Sequence, residues 1–253
     1  MQAVKRIWIV GGSTGIGLKL VNLCLNNNYK VVASSRTATT SDSLVKLKEV
    51  FDEKLVLVDI DVSKKEEIKN SVKKAWGAFD GLDIWFYNAG TYEIMDIHTW
   101  DSEKFEQMNE VNYLGVVRLM SEILPYFKAS KSGHWVWNSS ISSYFGLPQG
   151  GGYSAPKAAL VNLAQAIQPE LQLLNIKLQI INHGFVKTRL TDKNKFEMPQ
   201  LMQPKYTAQK ILDGIENSNS FEIRFPYLLS LFLAILRVLP YKISLYLTKK
   251  MLP

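Results

Sequence analysis

Apolar residues follow two alternating patterns along this chain. Short, nearly continuous apolar runs, such as residues 6–11, are followed by longer segments in which apolar residues recur at every third or fourth position. Continuous runs are typical of strands buried on both faces, and the segments between them are typical of helices that cover a parallel sheet. We therefore predict an α/β fold, a doubly wound parallel sheet of about seven strands with helices on both faces. The predicted strands are residues 6–11, 30–35, 54–60, 82–88, 134–140, 177–182 and 221–225.

The residues that flank these strands predict helix starts and loops. Ser, Thr or Asp stands at several positions where a helix N-cap is expected. The pattern lapses at residues 191–204, which we expect to form a loop near the substrate. We predict a single catalytic domain, residues 1–225, followed by a hydrophobic tail, residues 226–253. The helices are predicted to begin near Gly15, Asp42, Ser63, Asp101, Gly152 and Thr207.

Composition narrows the class of protein. With 253 residues, of which 47% are hydrophobic, the chain can bury the core of one large domain. The single cysteine, Cys24, cannot form an internal disulfide, and the first residues lack the pattern of a signal peptide, so we expect a cytoplasmic protein. The net charge of +7 comes from scattered basic residues without an aromatic, basic strip, so nucleic acid is not an expected partner. No metal site is predicted.

The motif WIVGGSTGIGLKL contains four glycines between Gly11 and Gly17. It begins as a predicted strand and ends as a predicted helix, and such a bare loop lets backbone N–H groups approach a diphosphate. Glycines at a tight turn serve packing equally well, so the loop alone leaves both interpretations open. No Gly-Lys-Ser/Thr sequence follows, which favours a dinucleotide over ATP or GTP.

The second predicted strand ends in Ser34, Ser35 and Arg36, without a carboxylate at the corner that would meet an adenosine ribose. A guanidinium beside two hydroxyls suits a 2′-phosphate. NADP(H) is therefore predicted as the preferred coenzyme, with NAD(H) as the alternative. The competing interpretation is that Arg36 is an ordinary surface charge.

A second group of candidate residues lies in the second half of the chain. The motif YSAPK places Tyr153 and Lys157 four residues apart at the start of a predicted helix, so both side chains leave the same face. Ser140 closes the strand HWVWNSS, and parallel sheets hold their ligands at the carboxyl ends of strands. Taken singly, a half-buried tyrosine, a surface lysine and a strand-end serine are ordinary features.

Together these motifs resemble the short-chain dehydrogenase/reductase family. GGSTGIG resembles the family's coenzyme loop, and DIDVS, YNAG, VNYLG, NSS, YSAPK and NHGFVKT resemble further family motifs in the family's order. The resemblance implies a Rossmann-like fold and an NAD(P)-dependent oxidoreductase with an Asn-Ser-Tyr-Lys tetrad. The catalytic residues would be Asn112, Ser140, Tyr153 and Lys157. The coenzyme-binding residues would be Gly11, Ser13, Thr14, Gly15, Ile16, Gly17, Ser35, Arg36, Asp61, Val62, Asn88, Ala89, Gly90, Tyr153, Lys157, Phe185, Val186 and Thr188.

Three positions depart from the family pattern. Val10 replaces the usual threonine before the glycine loop. Pro156 stands where serine is common, and proline is tolerated in the first turn of a helix because its missing N–H would be unpaired there. His183 stands where proline is usual, beside the expected nicotinamide pocket. Either His183 is an additional proton donor or the substitution only changes the stiffness of the loop.

The implied chemistry assigns a role to each member of the tetrad. Hydride transfer to a carbonyl leaves an alkoxide, which needs a proton and a group that stabilises its charge. We expect Tyr153 to act as general acid/base with a pKa lowered by Lys157, since an ammonium about 4 Å away contributes roughly 4 kcal/mol at an effective dielectric near 20. Ser140 would hydrogen-bond the substrate oxygen. The resemblance implies that Asn112 positions a water chain leading to Lys157.

The residues expected around the substrate are apolar: Tyr144, Phe145, Leu147, Pro148 and the loop at 196–202. They predict an apolar carbonyl or secondary alcohol, with fatty acyl, steroid-like, quinone and terpenoid compounds all open. Two other functions compete with this one. The first is a non-catalytic nucleotide sensor or scaffold on the same fold, and the second is a membrane-recruited lipid-binding protein.

The tail begins with an apolar run in which eleven of the thirteen residues 227–239 are apolar. Pro240 interrupts the run, which is too short to span a bilayer because a span needs about 20 apolar residues. The tail is a helix packed against the domain or a partner subunit, a flap over the substrate entrance, or an in-plane membrane anchor. Cations and tyrosines among the apolar residues favour an anchor at the inner face of a membrane, through residues 226–250. The family resemblance also implies a homo-oligomer paired through the helices at 101–128 and 152–173.

Overall fold

Seven parallel strands form the single sheet of the computed structural model, which describes residues 4–194 and 196–252. The strand order is β3-β2-β1-β4-β5-β6-β7, and every neighbouring pair is parallel. This is the Rossmann-like order, so the predicted doubly wound fold is confirmed. The strands are β1 Arg6–Val10, β2 Lys30–Ser35, β3 Leu55–Asp59, β4 Ile84–Tyr87, β5 Gly133–Asn138, β6 Ile176–His183 and β7 Glu222–Phe225.

Helices follow the strands at or close to the predicted starts. The largest difference is at the helix expected near Thr207, which begins earlier, at Pro204, because proline is well placed in a first helical turn. The tail forms two helices separated by Pro240. The helices are α1 Gly15–Asn26, α2 Asp42–Phe51, α3 Lys65–Gly77, α4 Ser102–Asn109, α5 Gly115–Ser130, α6 Gly151–Leu173, α7 Pro204–Asn217, α8 Tyr227–Val238 and α9 Tyr241–Lys249.

A turn of π-helix, Glu110–Leu114, separates α4 from α5. The long helix predicted from Asp101 is therefore divided. The Tyr87 hydroxyl at the end of β4 donates a hydrogen bond of 2.6 Å to the carbonyl oxygen of Val111 in this turn. Insertions of this kind are frequent at functional sites. Here the turn holds the buried Asn112 beside the end of β4.

Two hydrophobic cores lie on opposite faces of the sheet. On one face α3, α5 and α6 cover a core that includes Ile123 and Leu160. On the other face α1, α2 and α7 cover a core that includes Leu20 and Ile211. Since both faces are covered, the open edge at the carboxyl ends of the strands is the natural place for a site.

Four tryptophans form a layer within the first core. Trp8, Trp85 and Trp135 are neighbours across β1, β4 and β5, and Trp137 lies two residues further along β5. All four are fully buried, and the rings of Trp85 and Trp135 meet edge to face with centroids 5.2 Å apart. The indole N–H of Trp8 donates to Ser34 Oγ at 2.8 Å. This layer is a large apolar mass directly beneath the strand ends that carry the site.

The two tail helices pack beside the end of β5. Leu233 and Leu236 of α8 form a third, small core with Ile141. In the described part of the chain, no helix combines the length and the apolar character needed to cross a lipid bilayer.

Candidate active site

A cavity of about 460 Å³ opens where the carboxyl ends of β1, β4, β5 and β6 meet. β1 and β4 are neighbours in the sheet although β2 and β3 lie between them in the chain, so the strand order reverses at this point and leaves a crevice. Among the predicted catalytic and coenzyme-binding residues, Gly17 and Asn112 do not line this cavity, and all the others do. Their roles in binding and catalysis stay predictions.

The glycine loop between β1 and α1 has a geometry that side chains would obstruct. Gly11 has a φ of +87°, and a Cβ added there would lie 2.6 Å from the backbone nitrogen of Ala89. A Cβ on Gly17 would lie 2.0 Å from the carbonyl oxygen of Gly11. Gly17 therefore lets α1 pack closely beneath the loop, which explains why it does not line the cavity. Both positions require glycine because the obstructing atoms are backbone.

The N-terminus of α1 faces the cavity through Thr14, Gly15 and Ile16. Within the described chain the Thr14 side chain makes no capping hydrogen bond, and the first turn of α1 carries no acidic residue. The first N–H groups of a helix carry partial positive charge and favour an anionic ligand. This end of the cavity thus fits a diphosphate.

A chain of hydrogen bonds links three strands to α6. Asn88 Nδ2 donates to the carbonyl oxygen of Gly11 at 2.9 Å, and Asn138 Nδ2 donates to Asn88 Oδ1 at 2.8 Å. Lys157 Nζ donates to the carbonyl oxygen of Asn138 at 2.7 Å. Asn138 was not among the predicted site residues. The signal that could have identified it is an amide directly after the apolar run at 135–137, two residues before Ser140.

Ser35, Arg36, Asp61 and Val62 line the part of the cavity beside β2 and β3. Burial raises the pKa of Asp61, but hydrogen bonds from the backbone and hydroxyl of Ser63 outweigh burial, and the pKa of Asp61 is lowered overall. Arg36 is exposed, and it forms no ion pair within residues 4–194 and 196–252. Its five N–H donors are thus available to an anionic ligand.

Tyr153 and Lys157 both face the cavity from the first turns of α6, with Ser140 at the end of β5. Burial raises the pKa of Tyr153 to about 12, although a hydrogen bond with Ser140 acts in the opposite direction. Burial lowers the pKa of Lys157 to about 7. The expectation that Lys157 lowers the pKa of Tyr153 is therefore wrong for this structure. The reason is that desolvation is the dominant influence on Tyr153, and Lys157 Nζ, 5.7 Å from the centre of the Tyr153 ring, is itself desolvated.

The side chain of Asn112 is bound to the backbone of the loop that follows β4. Its Oδ1 accepts a hydrogen bond from the backbone N–H of Thr91 at 2.9 Å, and its Nδ2 donates to the carbonyl oxygen of Thr91 at 2.9 Å. Each end of the amide keeps a further hydrogen-bonding position, so the role of Asn112 in a water chain leading to Lys157 stays a prediction. Asn112 also fixes the loop after β4, which carries Gly90 and Thr91 into the cavity wall.

The substrate end of the cavity is lined by residues from distant segments, including Leu147, Pro148 and Phe196 as predicted. Tyr144 and Phe145 were expected there but pack against the tail helices, because the short 3-10 turn Ile141–Ser143 directs them away from the cavity. Leu229 and Leu233 of α8 take their place in the wall. Thr191 and Asn194 come from the loop that was expected near the substrate. The remaining residues of the cavity wall were not named individually from the sequence: Val10, Ile60, Ser63, Thr91, Tyr92, Gln107, Val111, Ser139, Ile141, Ser142, Gln149, Gly150, Ser154, Gly184, Arg189 and Leu190.

Tyr92 stands out among these residues. Its ring meets the Tyr153 ring edge to face with centroids 5.2 Å apart, and its hydroxyl donates to Asn194 Oδ1 at 3.0 Å. It thus joins the loop after β4 to the loop at 191–194, directly beside the predicted proton donor.

His183 lines the cavity at the end of β6. Its Nδ1 lies 2.7 Å from the carbonyl oxygen of Gly184, which can only accept a hydrogen bond, so Nδ1 carries the proton. Burial lowers the pKa of His183 to about 4. The ring is neutral at neutral pH, and its other nitrogen has no proton to give. This geometry does not support the hypothesis of an additional proton donor.

The family model for short chain dehydrogenases matches residues 5–199. The chain belongs to this family, and the predicted resemblance and enzyme class are confirmed. Similar proteins are named as oxidoreductases. "Oxidoreductase BOA17" of Botryotinia fuckeliana is 26% identical over 88% of this chain and 81% of that protein. An uncharacterized oxidoreductase of Myxococcus xanthus is 27% identical over 92% of this chain and 91% of that protein.

Solved structures share the fold across the chain. A short chain dehydrogenase from Burkholderia cenocepacia, in complex with NADP, has a TM-score of 0.83 at 20% identity and covers 100% of both chains. An alcohol dehydrogenase from the archaeon Thermococcus sibiricus, complexed with 5-hydroxy-NADP, has a TM-score of 0.78 at 24% identity, with coverage of 88% of this chain and 96% of that one. At these identities the likeness establishes the fold.

Proposed function

We propose that the protein is an NADP(H)-dependent oxidoreductase that interconverts a carbonyl and a secondary alcohol on an apolar, lipid-like substrate. The observation that carries the proposal is the convergence of Ser140, Tyr153 and Lys157 on the same cavity as the glycine loop and Arg36. A coenzyme diphosphate at the N-terminus of α1 and a reacting carbonyl at Tyr153 would thus share one cavity.

The residues present fit the coenzyme. The glycine loop and the start of α1 would hold the diphosphate, Arg36 and Ser35 the 2′-phosphate, and Asp61 the adenine. The bound coenzyme would supply or accept the hydride. Similar structures carry NADP, 5-hydroxy-NADP or, in a Brucella melitensis 3-ketoacyl-(acyl-carrier-protein) reductase, NADH, so NAD(H) is the alternative.

Each polar group then has one task during carbonyl reduction. Tyr153, with a pKa of about 12, is protonated at neutral pH and donates its proton to the substrate oxygen. Ser140 donates a hydrogen bond to the same oxygen. Lys157, with a pKa of about 7, gains and loses a proton readily at neutral pH and can restore the proton of Tyr153. Oxidation of the alcohol uses the same groups in reverse.

An apolar substrate is supported by the composition of the cavity wall beyond Tyr153. Leu147, Pro148, Phe196, Leu229 and Leu233 lie there, and their side chains offer no hydrogen bonds. Such a wall binds by burial of apolar surface and leaves the reacting oxygen as the main polar feature. We therefore propose that the substrate is an extended or fused hydrocarbon that carries the reacting carbonyl.

The direct test is NADPH consumption by the purified protein on a panel of apolar ketones and aldehydes, with coenzyme affinity measured alongside. Turnover on at least one substrate is the expected result. Tight coenzyme binding with no turnover on any of them would favour a nucleotide sensor and overturn the proposed reaction. Mass spectrometry of any compound that co-purifies in the cavity would select the panel.

We also propose that the protein is cytoplasmic and peripheral at the inner face of a membrane, through residues 226–250. The support is the orientation of the tail helices. α8 buries Leu233 and Leu236 but exposes Leu228, Phe232 and Ile235. In α9, the buried residues are Ser244 and Thr248, the apolar Leu247 packs partly buried against the third core, and the apolar residues Ile243, Leu245 and Tyr246 are exposed. A helix that turns its apolar side outward needs a partner with an apolar surface.

Charge favours a bilayer over a second copy of the chain. Between residues 223 and 252 there are five basic residues and no acidic ones: Arg224, Arg237, Lys242, Lys249 and Lys250. Each basic residue near an anionic surface contributes about 1 kcal/mol of attraction. In a twofold dimer the same basic surface would face itself, and like charges would repel. Because α8 also forms part of the cavity wall, an apolar substrate could enter from the lipid.

Liposome co-sedimentation tests this part of the proposal. We expect the full chain to sediment with anionic vesicles, less at high salt, and a Leu228→Ser, Phe232→Ser, Ile235→Ser variant to stay in the supernatant. Val50→Ser, at an exposed apolar position on α2, is the matched control and should sediment normally. If the full chain ignores the vesicles, or the triple substitution instead splits a dimer on size exclusion, the membrane proposal is wrong.

A further inference from the structure

A carboxylate lies behind the turn that follows Ser140, and the proposed reaction does not use it. Glu222, the first residue of β7, accepts a hydrogen bond on Oε1 from Asn182 Nδ2 at 2.6 Å. The same oxygen accepts a hydrogen bond from the Tyr144 hydroxyl. Glu222 does not line the cavity, so it cannot touch a substrate held there. Its two donors belong to the two segments that flank Ser140.

The first segment is the turn that Ser140 begins. Ser140 caps the 3-10 turn Ile141–Ser143, and its Oγ accepts a hydrogen bond from the backbone N–H of Ser142 at 3.2 Å. The Ser143 N–H donates to the carbonyl oxygen of Ser140 at 3.0 Å. Tyr144 ends the turn. The bond from Tyr144 to the carboxylate of Glu222 therefore restrains the far end of the turn that orients the Ser140 hydroxyl.

The second segment is the end of β6. Ser140 Oγ donates to the carbonyl oxygen of His183 at 3.4 Å. The neighbouring Asn182 is fully buried, and its Oδ1 accepts a hydrogen bond from Ser143 Oγ at 3.4 Å while its Nδ2 is bound to Glu222. Glu222 thus binds Tyr144, at the end of the turn whose Ser142 N–H donates to Ser140 Oγ, and Asn182, the chain neighbour of the residue whose carbonyl accepts from it.

We infer that Glu222 is a positioning residue for Ser140. By joining Tyr144 and Asn182 on one oxygen, Glu222 fixes the separation between the turn after β5 and the end of β6. It thus fixes the position of Ser140 Oγ, from which the hydroxyl can rotate from the His183 carbonyl to the substrate oxygen. The inference rests on the proposed function for the role of Ser140. Glu222 contributes a hydrogen-bond acceptor at the right position, and its charge is not required. The amide oxygen of a glutamine at position 222 should therefore hold Tyr144 and Asn182 nearly as well.

The test compares two substitutions at one position. Glu222→Ala removes the acceptor, and we expect kcat to fall roughly ten- to a hundredfold, the usual cost of displacing a catalytic group by about 1 Å. Glu222→Gln keeps an oxygen for both donors, and we expect kcat within about threefold of the wild type. The dissociation constant of NADPH should not change in either variant, because Glu222 supports no part of the glycine loop.

A tyrosine and carboxylate pair elsewhere in the fold provides the matched control. The Tyr29 hydroxyl donates to Glu216 Oε1 at 2.7 Å, between the end of α1 and α7 and away from the cavity. Glu216→Ala removes an equivalent hydrogen bond, so we expect a similar loss of melting temperature and an unchanged kcat. Tyr144→Phe, which removes one of the two donors, is the milder variant to use if Glu222→Ala does not fold.

Hydrogen exchange separates this inference from the proposed reaction. The backbone amides of residues 141–144 should exchange faster in Glu222→Ala than in the wild type, and at the wild-type rate in Glu222→Gln. If the wild type reduces carbonyls but Glu222→Ala keeps kcat within about threefold and exchange unchanged, the positioning role is wrong and the reaction stands. If exchange changes as expected but the wild type reduces no carbonyl, the reaction is wrong and the link from Glu222 to Ser140 stands.

Discussion

The two ends of the cavity are constructed differently. At the coenzyme end, the wall consists of the glycine loop and the strand ends, and Gly11, Asn88 and Asn138 are joined by hydrogen bonds between neighbouring strands. At the substrate end, the wall brings together Leu147, Phe196 and Leu229 from three distant segments of the chain, and Leu147 and Leu229 pack against the same small apolar core.

This difference between the two walls shows which part of the site is determined by the local sequence. A hydrogen-bonded wall on strand ends tolerates little change, because each polar group has one partner at one distance. An apolar wall assembled from loops and a tail can change residue by residue while the fold stays the same. We therefore expect substitutions at the coenzyme end to affect all substrates, and substitutions at the substrate end to affect only some.

Tyr153 lies where the two ends meet, and Tyr153→Phe should have the largest effect. The substitution removes the transferable proton, so we expect kcat to fall about a thousandfold or more, with NADPH binding nearly intact. Tyr92→Phe, on the ring that packs against Tyr153, is the control and should keep most activity. Retention of more than about a tenth of wild-type activity in Tyr153→Phe would refute the assigned mechanism.

Gly11→Ala should have the next largest effect, and it should be confined to the coenzyme end. The left-handed backbone at Gly11 costs a non-glycine residue roughly 1–3 kcal/mol, and the new Cβ also meets the backbone of Ala89. We expect the dissociation constants of NADPH and NADH to rise together by about a hundredfold. Gly77→Ala is the control variant for the titrations with NADPH and NADH, because a Cβ at Gly77 meets nothing within 4 Å. An unchanged affinity would show that the loop is not the diphosphate site.

Arg36→Ala should distinguish the binding of NADPH from the binding of NADH at the coenzyme end. Loss of a charged hydrogen bond to the 2′-phosphate should weaken NADPH by roughly 1.5 to 3 kcal/mol and leave NADH almost unaffected. Isothermal titration of both coenzymes measures the difference. Equal losses for the two coenzymes would mean that Arg36 has a structural role.

Leu229→Ala probes the substrate end. Removal of apolar surface from the cavity wall should raise KM for the largest apolar substrate by about tenfold, since a pocket methylene contributes roughly 1–3 kcal/mol. The dissociation constant of NADPH should stay the same. A matching loss of coenzyme affinity would show that the two ends of the cavity are coupled. It would contradict the expectation that substitutions at the substrate end leave coenzyme binding unchanged.

Lys157→Met should have the smallest of the expected effects on stability and binding, a rise of a few degrees in melting temperature below neutral pH, apart from the loss of turnover expected for a member of the tetrad. Burial lowers the pKa of Lys157 to about 7, whereas in the unfolded chain it returns to about 10.4. Between these two values the unfolded chain binds the additional proton, so the contribution of Lys157 to stability rises with pH and is least favourable below about pH 7.

The difference in melting temperature between Lys157→Met and the wild type should therefore be larger at about pH 6 than at about pH 9. Lys69→Met, on the exposed side of α3, is the control for removal of a lysine side chain. A difference that grows with pH would contradict the assigned burial.

The sequence predicted the fold well because its signals are local. The run at Lys30–Ser35 is a strand with the predicted bounds, and the strands buried on both faces could not be mistaken for loops. The candidate site was predicted where a motif places a residue on a strand end or a first helical turn, as at Tyr153.

Prediction failed where the outcome depends on surroundings that no motif records. The raised pKa of Tyr153 follows from burial, which involves residues far away in the chain. The direction of Tyr144 depends on a 3-10 turn and on Glu222. Only the packed structure places α8 in the cavity wall.

The central claim is that this site moves a hydride between a nicotinamide coenzyme and the carbon of a carbonyl. The most direct measurement uses NADPH deuterated at the transferable position of the nicotinamide ring, with an apolar ketone that the protein consumes. Our account predicts that, for one of the two stereoisomers of the labelled coenzyme, the product alcohol carries deuterium on the former carbonyl carbon. An alcohol without deuterium from either stereoisomer, formed while NADPH is consumed, would contradict the account.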